Sequence, residues 1–164
     1  MFNRRNWIAM MLVMLGLIMF VPAAQAEREE FEGISCYSNT HTPVQASPGE
    51  IYVGSFEGKG IVRRTNKPYL ENTFHQVGVL KAQGGAWSWN GLQKSMFSDG
   101  DFIIWEFSGD SVSGVSTAKA IYGSGKYKGI KGEAKNKMIT TAKPIVQGTE
   151  QACQQVVGWM ELAK

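Results

Sequence analysis

Apolar and polar residues alternate at every second position along much of this chain, the period of a β-strand with one buried face. The pattern is sharpest on either side of the run Gly123–Gly132. Over residues 112–122, Ser116, Ala118, Ala120 and Tyr122 share one face, and Val115, Thr117, Lys119 and Ile121 share the other. Over 132–141, Ala134, Asn136, Met138 and Thr140 lie opposite Glu133, Lys135, Lys137 and Ile139. Burying an unpaired ammonium is costly. Lys119, Lys135 and Lys137 therefore face water, and Ser116, Ala118, Ala120, Ala134, Asn136 and Met138 face inward.

Similar runs fill the rest of the chain. Strands are predicted at 31–38, 50–56, 61–65, 70–81, 86–97, 102–107 and 154–162. On these, Tyr52 shares a face with Phe56, and Trp87 shares one with Trp89. Gly and Pro clusters punctuate them: a loop over 39–49 with Pro43 and Pro48, a turn at Gly58–Gly60, and another at Asn66-Lys67-Pro68. Further turns fall at Gly84-Gly85, Ser98–Asp101, Ser108–Asp110 and around Pro144 and Gly148. Asn90-Gly91 reads as a hairpin tip or bulge, and Gly78 as a kink. No segment after residue 26 has helical periodicity. About eight short strands separated by regular turns predict an all-β fold, an antiparallel β-barrel of about eight strands.

The start of the chain stands apart. Arg4 and Arg5 precede an unbroken apolar run from Ile8 to Val21, then Pro22 and the small residues Ala24 and Ala26. Residues 1–26 read as a secretory signal peptide cleaved after Ala26. That leaves 27–164 as a single barrel domain, secreted or periplasmic, with no stable membrane insertion. Without Arg4 and Arg5 the 17 basic residues become 15 against 14 acidic, a net of +1. So balanced a charge gives no footprint for nucleic acid. The chain has two cysteines, Cys36 and Cys153. In an oxidising compartment an even pair predicts one disulfide, tying the first strand to the last.

The inward set between residues 116 and 138 is small. A barrel of about eight strands has an interior that side chains just fill, or that holds one small ligand. Trp105, Phe107, Tyr52, Phe56, Trp87 and Trp89 either fill the space or leave a pocket with one aromatic wall and one small, polar wall. The candidate ligand-binding residues are Ser116, Ala118, Ala120, Asn136, Met138 and Trp105, and the expected partner is a small apolar molecule.

The run Ile121-Tyr122-Gly123-Ser124-Gly125-Lys126-Tyr127-Lys128-Gly129-Ile130-Lys131-Gly132 resembles the G-[TS]-G-[KR]-[YF]-x-G-x-x-G signature of the allene oxide cyclase-like and dirigent-like β-barrels, of the calycin type. The Ser98–Asp101 turn before an apolar strand is similar to the same group, as are the secretory signal and the cysteine near each end. The resemblance spans residues 99–141. It implies that the glycine-rich run shapes a strand–turn–strand closure of the barrel and carries no chemistry. It also implies an isomerase or cyclase as the alternative to a binding protein. The catalytic carboxylate of the plant cyclases finds no counterpart in the N-terminal part of this chain.

Other chemistry fits poorly. As a phosphate loop, the run would need glycine at Ala120 and Ser or Thr at Tyr127. As a dinucleotide fingerprint, it would need glycine at Lys128. No cofactor is expected. His41 and His75 are too few for a zinc site without suitably spaced partners, so no metal is expected. His41 reads as solvated in its loop and His75 as a surface or edge residue. Glu106 takes the face opposite Trp105 and Phe107, which makes it a solvated acid. The seven lysines between Lys119 and Lys143 form either an edge protected against aggregation or an interaction face for anionic surfaces.

Overall fold

Asn72, Phe74, Gln76 and Leu80 are buried along one strand, while Glu71, Thr73, His75, Val77 and Val79 between them are exposed. The same alternation on eight strands builds the molecule. The computed structural model describes residues 28–47, 51–66 and 71–163. The predicted signal segment 1–26 lies outside them, as do Lys67 and Pro68 of one predicted turn. The strands are β1 (Arg28–Ser47), β2 (Ile51–Arg64), β3 (Glu71–Gln83), β4 (Ala86–Phe97), β5 (Phe102–Asp110), β6 (Val115–Gly123), β7 (Lys131–Ala142) and β8 (Thr149–Glu161). Each pairs antiparallel with the next, and β8 returns to pair with β1, closing the barrel. Closure leaves no unpaired sheet edge.

The predicted disulfide is present. Cys36 and Cys153 are register partners on β1 and β8, and they bridge the seam where the first strand meets the last. Ser35 and Tyr37 on either side of Cys36 line the lumen, so the bridge lies on the outer surface.

Several strands run further than their sequence suggests. Residues 39–47 are not a loop: β1 continues through them, paired with β2, and a register shift between Pro43 and Gln45 accommodates the proline. Gly58 and Gly60 are not a turn. They sit inside β2, where a Cβ at Gly58 would meet the Asn39 side chain and one at Gly60 would meet the Phe74 ring and the Cys36 carbonyl. Asn90-Gly91 is likewise continuous strand, with the Phe107 ring and the β3 backbone against Gly91. β5 extends to Asp110, so the turn falls at 111–114 instead of 108–110. Gly84 and Gly85 do form the expected two-residue hairpin turn, with φ of +59° and +82° as a type I′ turn requires.

One end of the barrel is closed by a packed layer. Phe31, Phe97, Ile103, Trp105, Tyr127, Ile130 and Met160 form one buried cluster, and Ile103 has no exposed surface. The glycine-rich run supplies its cap, a single 3-10 turn at Gly125–Tyr127. Tyr127 stacks on Phe97 with ring centroids 4.5 Å apart. Asp101 anchors this cap: its carboxylate accepts the Lys126 N–H at 3.1 Å and the Ser124 hydroxyl at 3.3 Å. Gly125, at φ +48°, has no room for a Cβ against that carboxylate.

Candidate functional site

Above the packed layer the barrel is hollow. A cavity of about 700 Å³ runs from Phe31, Phe97 and Arg64 up to Tyr52, Trp87, Met138 and Glu150 at the opposite mouth, and all eight strands contribute to its wall. Large rings take one side. Phe56, Leu80 and Phe107 pack together with Tyr52 and Trp89, and the Phe56 and Phe107 centroids are 6.1 Å apart.

The residues expected to face inward divide between the hollow and the packed end. Ser116, Ala118, Asn136, Met138 and Trp105 line the cavity, with Met138 at the mouth and Trp105 at the floor. Asn136 donates to the Ser116 hydroxyl at 3.2 Å. Ala120 lies lower, packed in the cluster with Ile103 and Tyr127 and away from the cavity wall. Tyr122, which strict alternation puts on the same face as Ala118 and Ala120, is 58% exposed. β6 carries one extra residue where Ile104 pairs with Tyr122 and Trp105 with Ala120. Such a bulge inverts the alternation beyond it. Lys119, Lys135, Lys137 and Glu106 are exposed outside, and Lys119 is the register partner of both Glu106 and Glu133.

The strongest polar features of the cavity come from β1, β3 and β8. Because β1 continues past Ser38, its inward set becomes Phe31, Ser35, Tyr37, Asn39 and His41. Gln76 donates to Asn39 Oδ1 at 2.7 Å, and Asn39 donates to Glu150 Oε2 at 3.4 Å. His41 Nε2 lies 3.4 Å from the same carboxylate oxygen, so His41 is a wall residue of the mouth and not a solvated loop residue. Gln154 donates to the Tyr37 hydroxyl at 3.3 Å. Burial pushes the Tyr37 phenol well above its usual range, and the Glu150 carboxylate pushes it the same way by charge and by hydrogen bonding. Tyr37 is therefore a neutral hydroxyl at physiological pH. The missed signal was parity: the period of two running from Phe31 to His41, and from Val156 back through Gln154 and Ala152 to Glu150.

His75 lies outside the barrel, its Nε2 2.8 Å from Glu57 Oε1 on the exposed surface. At the cavity floor, burial lowers the Arg64 pKa from its ordinary value, and the Glu29 carboxylate opposes that shift. The arrangement offers a shaped apolar volume, a wall of carboxamides and hydroxyls, and one carboxylate–imidazole pair at the mouth.

No protein-family model matches the chain, and no curated protein matches it. Solved structures do share its fold. It is similar to the pterocarpan synthase dirigent protein GePTS1, with a TM-score of 0.54 and 11% identity over 88% of this chain and 94% of that one. It is similar to the pterocarpan synthase dirigent protein PsPTS1, with a TM-score of 0.51 and 12% identity over 85% of this chain and 98% of that one. A further match is AbnU, an exo-specific intermolecular Diels-Alderase, at TM-score 0.44 and 16% identity over 84% of this chain and 99% of that one. At 11–12% identity the likeness to the two dirigent proteins is one of fold alone.

Proposed function

We propose that the barrel binds one small, mostly apolar organic molecule in its lumen. The observation that carries this reading is the cavity of about 700 Å³. Ligand pockets usually occupy roughly 300–1,000 Å³, with apolar walls and a few placed polar groups. A core meant only for stability is packed close to crystal density, as the Phe31–Tyr127 layer is and the space above it is not. The test uses the neutral fluorophore N-phenyl-1-naphthylamine. Its emission rises on binding to the protein, and Ala118→Trp, which obstructs the lumen, weakens the rise while circular dichroism shows the barrel intact. Unchanged binding by the obstructed variant sinks the reading.

The His41–Glu150 pair favours a second reading, an isomerase or cyclase of the allene oxide cyclase-like type. A positioned carboxylate and imidazole on a cavity wall can move a proton, and a lumen that fixes one conformer lowers the barrier by orientation. That two barrels of similar fold are named as synthases supports the compatibility of this architecture with such chemistry. Turnover of an unsaturated epoxide that is lost in Glu150→Gln, with fluorophore binding retained, separates the enzyme from the binder.

The setting we propose for either activity is outside the cytosol. The Cys36–Cys153 bridge supports an oxidising compartment, and the leader pattern of residues 1–26 supports secretion of a single barrel domain. Among the described residues no helix is long and apolar enough to cross a membrane.

A further inference from the structure

Near the floor of the lumen one buried polar atom lacks a partner among the described residues. Arg64 is 4% exposed and carries five N–H donors. One of its amino groups meets Glu29 Oε1 at 3.3 Å, long for a charge-assisted bond. The other meets the Met160 thioether at 3.6 Å, a weak acceptor. Its guanidinium also lies over the Phe31 ring, 4.7 Å from the centroid.

Asn72, on the neighbouring strand, is 7% exposed, and its Nδ2 is buried with no hydrogen-bond partner among the described residues. Val62 is the register partner of Asn72, and Arg64 is two residues further along the same face. Arg64 and Asn72 are therefore diagonal neighbours, about 7–8 Å apart along the wall. Both line the cavity. Ser95, 3% exposed on the next strand, accepts from Gln93 and also lines it. A buried donor without an acceptor is a desolvation penalty with no return, and here one lies beside a buried cation whose acceptors are long or weak.

We infer that Arg64 and Asn72 form the seat for a carboxylate carried by the lumen ligand, which enters acid-first with its apolar body against the aromatic wall. This deepens the lumen-binding reading and rests on it. A carboxylate supplies two acceptor oxygens, matching the fork of a guanidinium and the amide beside it. Glu29 already meets one amino group of Arg64, so the incoming carboxylate takes the remaining donors of the fork. Above the seat, Phe56, Leu80, Phe107 and Trp89 leave the rest of the ligand in apolar surroundings.

The experiment titrates the whole chain with dodecanoate and with 1-dodecanol, which share one alkyl chain, and reads intrinsic tryptophan fluorescence, to which Trp87, Trp89 and Trp105 contribute from the cavity wall. Dodecanoate is expected to bind at least about tenfold tighter than the alcohol. Arg64→Met brings the ratio close to one. Asn72→Leu weakens dodecanoate several-fold and raises the Tm of the ligand-free protein, because the orphaned donor is gone; a purely structural asparagine would lower the Tm on replacement. Equal affinities for the two probes in the unaltered protein, or an undiminished preference in Asn72→Leu, overturn the inference and leave the lumen reading standing. Binding of neither probe while the fluorophore of the lumen test still binds overturns the inference alone; loss of fluorophore binding as well removes both.

Discussion

Gln76 and Asn39 share a 2.7 Å hydrogen bond inside the lumen, from the Gln76 amide to the Asn39 oxygen. Asn39 turns its own amide to Glu150 at 3.4 Å, so a line of three side chains from β3, β1 and β8 orients the mouth carboxylate. Asn39→Leu leaves the Gln76 amide buried without its acceptor and is expected to cost about 1–3 kcal/mol. The double variant with Gln76→Leu removes both partners and should recover part of that loss. Urea unfolding of the two singles and the double gives the coupling; strictly additive effects would show that the pair does not act together.

The neutral state of Tyr37 sets an alkaline limit. In the folded barrel its phenol ionises above the ordinary range because of burial and Glu150. In the unfolded chain it titrates near about 10. Above that pH the native state holds a proton that the unfolded state has lost, so stability falls as pH rises. The contribution is fully present below pH of about 10 and lost progressively above it. Tyr37→Phe should flatten the fall in Tm through this window. In the absorbance titration of the folded protein, Tyr37 should ionise above the ordinary tyrosine range. A Tyr37 that ionises within that range would contradict the burial argument.

The bridge across the β1–β8 seam joins residues 117 apart in sequence. In the chain-entropy model such a loop contributes on the order of 4–5 kcal/mol by restricting the unfolded chain. Reduction, or Cys36→Ser with Cys153→Ser, should therefore lower the urea midpoint strongly. Spectra of the folded state should not change, because the seam is also held by a continuous β1–β8 ladder. Coincident unfolding curves with and without reductant would show that the ladder alone suffices.

The barrel was legible because its sequence obeys a single rule over long stretches. Three lysines that must reach water set the phase of β6 and β7, and two cysteines that form one disulfide marked which strands meet. The rule failed where a local feature imitated its end. Pro43 and Pro48 read as a loop and hid the inward run Tyr37, Asn39, His41, although a single register shift carries the strand past Pro43. Gly58, Gly60 and Gly91 read as turns, yet each is small because a side chain from a neighbouring strand occupies the space above it. The lone extra residue at Ile121 turned Tyr122 outward. The polar wall of the cavity was missed for the first of these reasons, since Glu150 matters only once His41 and Asn39 stand beside it.

The Tyr127 cap makes the hollow a shaft with a floor. A molecule inside it has the Phe97–Tyr127 layer beneath and the mouth above, so arrival and departure share one route. A molecule longer than the shaft would keep its trailing end beside Tyr52 and Trp87, whose ring centroids are 5.7 Å apart, and would leave by that end first.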